Sequence, residues 1–191
     1  MKVQASELAG VLAIEPRVFQ DPRGYFLETY QARRYREEAG LAPVFVQDNL
    51  SHSVRGVLRG LHYQLGHPQG KLVTAVAGTI FDVAADIRVG SPTFGRWTGL
   101  RLSAEAGTQL FVPPGFAHGF LVLSETATVL YKCTDYYSPA EERGIRWDDP
   151  RLAIAWPGGA PPLLSAKDQS YPLLAEVAPE QLPRYPGGSR S

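Results

Sequence analysis

A chain of 191 residues with 44% hydrophobic content is long enough to bury one core of ordinary size, and one domain is expected. Lysine and arginine total 19 against 19 aspartates and glutamates, so no net field exists to hold a nucleic-acid backbone or an anionic membrane. The lone cysteine, Cys133, can neither close an internal disulfide nor build a structural zinc site, which points away from an oxidising compartment.

The first residues, MKVQASELAGVLAIEP, place Glu7 and Glu15 around an apolar run too short for a signal core or a membrane span, so a cytoplasmic protein is expected. Residues 31–39 read as a short surface helix, with Arg33 four residues before Glu37 and Gly40 placed to end it. From 71 to 88 the pattern is that of a hairpin: LVTAV, a turn at Ala77-Gly78, then TIFDVAADI. In the second half Phe81, Val83, Ala85 and Ile87 share one face and Asp82, Ala84 and Asp86 the other, the period of a strand. Further strands are expected at 97–102, 109–112, 119–124 and 126–134, broken by Ser-Pro, Ala-Gly, Pro-Pro-Gly and Ser-Glu. Short strands at such intervals mean an all-β sandwich or barrel with a few short peripheral helices. The stretch PGGAPPLL at 157–164 is a loop, and the domain is expected to span 1–178 with a loosely held tail over 179–191.

Four histidines, His52, His62, His67 and His118, leave two chemistries open. The run Pro113-Pro114-Gly115-Phe116-Ala117-His118 has the spacing of the second motif of metal-binding cupins, a double-stranded β-barrel class. The first cupin motif needs two histidines two apart and a nearby glutamate, whereas this chain reads His62-Tyr63-Gln64-Leu65-Gly66-His67. Too few ligands remain for a transition metal, so no metal and no cofactor are expected. The other chemistry is direct acid/base work, since Arg59, His62 and Lys71 put two cations beside one base that titrates near neutral pH.

The stretches EPRVFQDPRGYFLETY, FVQDNLSHS, VLRGLHYQ, QGKLV, FDVAADIR, SPTFGRW, FVPPGFAHGF, LYKCTDYYSP and LSAKD, in this order, resemble the dTDP-4-dehydrorhamnose 3,5-epimerase family. The resemblance covers the chain as far as about Leu174. It implies a cupin-like jelly-roll subunit, a homodimer, and a cofactor-independent enzyme that inverts C3 and C5 of dTDP-4-dehydro-6-deoxy-D-glucose. It further implies that His62 removes a proton, Lys71 steadies the enolate oxygen, Tyr131 returns a proton from the opposite face, and Asp168 orients His62. By the same resemblance Arg23, Arg59 and Lys167 would meet the pyrophosphate. Glu28, Gln47, Asp48 and Asn49 would hold the nucleotide portion, with Glu142 a further binding residue. His118 would touch sugar or phosphate, and Tyr137 would stack on thymine.

Plainer roles compete with each of these. Tyr131 shares its strand face with Val129 and Cys133 and could simply pack there. Ser165-Ala166-Lys167-Asp168 has the form of a helix cap, with Pro172 limiting the helix to about a turn. Arg23 lies in a turn-like run, and Asp82 with Asp86 reads as a solvated or salt-bridged pair. Phe19, Phe26, Trp97 and Trp147 read as core or interface aromatics. Two other functions stay open: a single-centre epimerase on the same scaffold, and a non-catalytic or metal-binding cupin.

Overall fold

The computed structural model describes residues 1–187. Its strands are β1 (Lys2–Ala5), β2 (Leu12–Glu15), β3 (Val18–Asp21), β4 (Gly24–Leu27), β5 (Gln47–Val54), β6 (Leu58–Gln64), β7 (Lys71–Ala77), β8 (Thr79–Asp86), β9 (Trp97–Ser103), β10 (Gln109–Val112), β11 (Phe116–Val122), β12 (Thr126–Cys133) and β13 (Glu142–Gly144). Helices α1 (Ala32–Ala39) and α2 (Ala166–Ser170) are short. Gln31 caps the first by accepting from the Arg34 N–H, and Gly40 ends it in the left-handed region at φ 65°.

Two antiparallel sheets face each other, one in the order β1-β2-β10-β7-β12-β5 and the other β13-β6-β11-β8-β9, with β3-β4 a separate hairpin. The fold is a jelly roll, as the resemblance implied and within the sandwich-or-barrel class that the strand spacing indicated. Between the sheets lies one apolar cluster fed from both sides, with Val73, Leu110, Val112 and Val129 from the larger sheet and Ile80, Leu102, Phe116 and Phe120 from the smaller. Each such side chain contributes about 1.5–3 kcal/mol by leaving water. The outer face of the smaller sheet is covered too. Val83, Ala85 and Ile87 pack there against Ile145, Leu152 and Leu174, which explains why the odd-numbered face of β8 reads as apolar.

Two expectations are corrected. The strands at 71–77 and 79–86 exist, but they do not form a hairpin: β7 pairs with β10 and β12, and β8 with β11 and β9. Gly78, at φ 72°, carries the chain from one sheet to the other, and a Cβ there would lie 2.1 Å from the Thr126 carbonyl oxygen. Alternation reports strand and face, whereas pairing depends on partners elsewhere in the chain.

The tail is not loose over its described part. Leu182 is buried in the outer cluster, the Tyr63 hydroxyl donates to the Gln181 carbonyl at 3.0 Å, and the Val89 N–H donates to the Pro183 carbonyl at 2.8 Å. Residues 188–191 of the expected tail lie outside the described residues.

Asp82 and Asp86 are fully buried and each is paired, so of the two alternatives, solvated or salt-bridged, the second holds. Asp86 accepts from Arg88 Nε and Nη2 at 2.9 and 2.7 Å and from the Ser91 and Thr93 hydroxyls at 2.6 Å each, a set that satisfies both of its oxygens. Asp82 takes a different partner, described below.

Candidate active site

Along each central strand the inward-facing file begins apolar and turns polar toward one end of the sandwich. On β7 the file is Ala75, Val73, Lys71, and on β12 it is Ala127, Val129, Tyr131, Cys133. On β5 it is polar throughout: Gln47, Asn49, Ser51, Ser53. Facing these across the gap is β6, whose Leu61 and Tyr63 point into the outer cluster, so that His62 points inward.

Gly60 makes that strand position reachable. It sits at φ 132°, and a Cβ there would lie 2.6 Å from the Cα of Gly119 on β11, so only glycine lets the two strands close up before His62.

The result is a cleft of about 270 Å³ lined by Gln47, Asn49, His62, Tyr63, Gln64, Gln69, Lys71, Tyr131, Tyr137 and Glu142. A second cleft of about 330 Å³ adjoins it, sharing His62 and Glu142 and adding Arg59, Ser165, Lys167 and Asp168. A larger opening of about 450 Å³ between β1, β2 and β9 has Glu7 as its one charged lining residue, and Arg96 already neutralises that carboxylate at 2.5 Å. The chemistry therefore gathers around His62.

His62 Nε2 lies 2.6 Å from Asp168 Oδ1, a pair joined across 106 positions of sequence. Asp168 is delivered by α2, where Ser165 caps the helix by accepting from the Asp168 N–H at 3.1 Å and its hydroxyl donates to Asp168 Oδ2 at 2.9 Å. Ser165 thus caps the helix, while Asp168 in its first turn presents its carboxylate to His62. Burial raises the Asp168 pKa, but hydrogen bonds and charge from His62, with Ser165 and the Gly60 N–H, outweigh it and leave the carboxyl below the usual range. With Nε2 engaged by an ionised carboxylate, His62 keeps Nδ1 as its free basic nitrogen.

Lys71 is buried, and among the described residues it has no hydrogen-bond or ion-pair partner. Burial lowers its pKa, an effect that Cys133, Asp82 and Glu142 offset only in part. Tyr131 is partly buried, and its pKa is raised mainly by burial, so the phenol keeps its proton through the neutral range.

Around these groups the amides are tied together. Gln47 Nε2 donates to Asn49 Oδ1 at 2.9 Å, and Gln47 Oε1 accepts the Tyr137 N–H at 2.9 Å. Glu142 accepts from both the Tyr137 hydroxyl and Lys167 Nζ. Burial raises its pKa, yet those two bonds prevail and hold it below its ordinary value.

The sequence-derived set therefore divides. His62, Lys71, Tyr131, Gln47, Asn49, Tyr137 and Glu142 meet in the first cleft, and Arg59, Lys167 and Asp168 line the second. Asp48 does not join them. It points to the outer face of β5, where Lys132 Nζ donates to it at 2.9 Å, because neighbours of inward-facing Gln47 and Asn49 must face outward. Arg23 and Glu28 lie off the cleft of their own chain: Arg23 is exposed and paired with Asp21, and Glu28 is paired with Arg34 at 3.3 Å.

His118 is buried, with Nε2 2.8 Å from Asp82 Oδ1, and lines neither cleft. His52 bonds the Thr128 hydroxyl at 2.9 Å and His67 is exposed, plain roles for both. Among the described residues no group of three or more His, Cys, Asp or Glu is arranged to hold a metal ion.

Gln64 and Gln69 were missed from sequence. Gln64 Nε2 donates to the carbonyls of His67 and Tyr136 at 2.6 and 3.1 Å, and Gln69 Nε2 to that of Asp135 at 2.8 Å, so they pin the two loops that form the rim. For Gln64 a signal existed, since it lies two residues after His62 on the same strand face.

The sequence model of the family described as dTDP-4-dehydrorhamnose 3,5-epimerase matches residues 5–176. The dTDP-4-dehydrorhamnose 3,5-epimerase of Pseudomonas aeruginosa is 54% identical over 177 residues, 93% of this chain and 98% of that one. The dTDP-4-dehydrorhamnose 3-epimerase of Streptomyces niveus is 45% identical over 178 residues, 93% of this chain and 86% of that one. The crystal structure of dTDP-6-deoxy-D-glucose-3,5-epimerase from Legionella pneumophila, in complex with dTDP-4-keto-L-rhamnose, matches with a TM-score of 0.93 and 52% identity, covering 96% of this chain and 98% of that one.

Proposed function

This chain belongs to the dTDP-4-dehydrorhamnose 3,5-epimerase family, and from that membership we propose that it inverts C3 and C5 of dTDP-4-dehydro-6-deoxy-D-glucose to give dTDP-4-dehydro-β-L-rhamnose. The observation that carries the reading is the opposition of His62 on one sheet, backed by Asp168 of α2, to Lys71 and Tyr131 on the other.

Both target carbons flank the C4 ketone, so each proton is acidic only if its electron pair can flow onto the ketone oxygen. His62 Nδ1 takes the proton, the C–H pair becomes the enolate double bond, and the Lys71 ammonium faces the oxygen that gains charge. Tyr131 then donates its hydroxyl proton to the carbon from the other side. A single group that both removed and returned the proton would restore the original centre, which is why two walls are needed.

After one inversion His62 has gained a proton and Tyr131 has lost one, and exchange with water resets both. Solvent hydrogen therefore enters the product. Every step is assigned to a side chain of this protein, and Arg59 and Lys167 supply positive charge beside the reacting cleft for the diphosphate.

In D2O the wild-type protein incorporates deuterium at C3 and at C5, and His62→Ala incorporates none. Absence of exchange at both carbons by the wild type would overturn the reading. Exchange at C3 alone would identify the single-centre activity that the Streptomyces niveus relative is named for.

We further infer a homodimer and a cytoplasmic location. The β3–β4 hairpin exposes Phe19, Tyr25 and Phe26, and the outer face of β5 exposes Leu50 and Val54, apolar surfaces that a second copy would cover. Arg23, on the same hairpin, would then face the partner's cleft. Light scattering giving twice the chain mass supports the dimer, and the mass of one chain refutes it. The location is supported by a dissolved nucleotide-sugar substrate.

A further inference from the structure

Helix α2, which carries Asp168, ends at Tyr171. The Tyr171 ring stands edge-on to the His62 imidazole, with centroids 5.7 Å apart and planes at 69°. Behind it is Gly144 on β13, the residue paired with His62 in the β13–β6 ladder. A Cβ at position 144 would fall 2.4–2.5 Å from three carbons of the Tyr171 ring, so the missing side chain at 144 is what lets the ring lie there.

The ring is held at its chain neighbour as well, since the Pro172 carbonyl accepts the Arg146 N–H at 2.9 Å. The Tyr171 hydroxyl is sealed from solvent and has no hydrogen-bond partner among the described residues. A buried hydroxyl without a partner costs free energy, so the hydroxyl does not account for this residue's place, and its ring contacts do.

One hydrogen bond to Asp168 fixes a single atom of His62 and leaves the imidazole a rotation about its Cβ–Cγ bond that moves Nε2 little. Rotation of this kind is soft in histidine, whose ring torsion has broad wells. Proton abstraction tolerates only about 10–20° of misalignment. We propose that Tyr171, seated on Gly144, is a positioning residue that sets the plane of the His62 imidazole and so aims Nδ1 at the substrate carbon. The inference rests on His62 being the base. It adds a second constraint to the one Asp168 supplies.

Four variants test it in the D2O exchange assay with dTDP-4-dehydro-6-deoxy-D-glucose. Tyr171→Phe keeps kcat within about twofold of wild type, because the ring remains. Tyr171→Ala and Gly144→Ala each lower kcat at least about tenfold with KM changed less than about twofold, the first by removing the ring and the second by displacing it. The double variant is no slower than Tyr171→Ala alone, because without the ring the new methyl at 144 meets nothing. If Tyr171→Ala does not fold, Tyr171→Leu serves as an apolar filler without the aromatic edge, with the same loss expected.

The proposal is overturned if the truncated variant keeps wild-type kcat, if Tyr171→Phe loses as much as Tyr171→Ala, or if the Gly144→Ala loss persists undiminished in the Tyr171→Ala background. A wild-type protein that exchanges neither carbon overturns the underlying reading instead, a result distinct from any of these.

Discussion

Replacing Lys71 with methionine separates what this residue does for catalysis from what it does to the fold. The residue is buried, its side chain has no direct partner among the described residues, and its pKa is lowered because burial outweighs the attraction of Cys133, Asp82 and Glu142. An apolar side chain of similar length removes that burden. Replacement of buried charge by a packed apolar group stabilises by about 1–4 kcal/mol, and the lower end applies because Asp82 and Glu142 lose a favourable neighbour. For a chain of this size about 1 kcal/mol corresponds to a Tm rise of about 2–4 °C.

The pH dependence has a definite sign. The unfolded chain holds the Lys71 proton up to about pH 10.4, and the folded chain releases it earlier. Between those two values the unfolded state binds more protons, so wild-type stability recovers as pH rises through that window. The advantage of Lys71→Met is therefore full below the folded-state pKa of Lys71 and shrinks as pH rises from there toward about pH 10. Meanwhile kcat falls by about 10²–10³, the usual cost of removing one oxyanion-stabilising group. Urea melts at neutral and alkaline pH, with turnover measured on the same preparations, check both halves. A variant that is less stable at pH 7, or whose advantage grows with pH, would refute the account of Lys71 as an uncompensated buried cation.

Asp168→Asn should keep the helix cap through Ser165 but lose the charge behind His62, lowering kcat by about 10²–10⁴ with little change in KM. Because the Asp168 pKa is depressed, its stabilising contribution is full above the unfolded value of about 3.9 and is lost as pH falls through the lower folded value. The stability gap between wild type and Asp168→Asn in urea melts should thus close in acid. Leu182→Ala should cost about 2–5 kcal/mol, since that side chain is packed in the outer cluster. A cost below about 0.5 kcal/mol would return the segment to the loosely held tail that composition suggests.

Four strands between 97 and 134 were legible because their alternation and turn residues are local signals: the expected 109–112 strand coincides with β10, whereas β11 begins at Phe116, three residues before the expected start, and β13 was not foreseen. Partnership was not legible. Ala77-Gly78 looks the same whether the chain folds back on itself or crosses to the other sheet, and the difference lies in the close approach of Thr126, 48 positions away from Gly78. Asp82 and Asp86 have the same strand face and similar sequence surroundings, yet one meets His118 and the other Arg88 with two hydroxyls. Their burial follows from which face of β8 points between the sheets, and that depends on the segment beyond Gly144 covering the opposite face.

The candidate set was reached through resemblance rather than spacing. No local pattern joins His62 to a carboxylate 106 residues on, and Ser165-x-x-Asp168 taken alone predicts only the cap that it also forms. Asp48 shows the limit of transferring a run of residues whole, because strand alternation splits Gln47-Asp48-Asn49 between inside and outside. Tyr171 carries no motif. Its place is defined by a glycine on another strand.

His62 hangs from one sheet and Tyr131 from the other, with no hydrogen-bonded ladder between those sheets, so the apolar filling acts as a gauge block that sets the jaw opening. Val73 and Val129 on one side and Phe116 and Phe120 on the other determine that width. Thinning this filling widens the jaw without touching any reacting group. The carbanion carbon then stays within reach of His62 but moves away from Tyr131, and the base hands back a solvent-derived proton from its own side. The mark of a worn gauge is deuterium uptake with retention of configuration, a stereochemical readout of core packing.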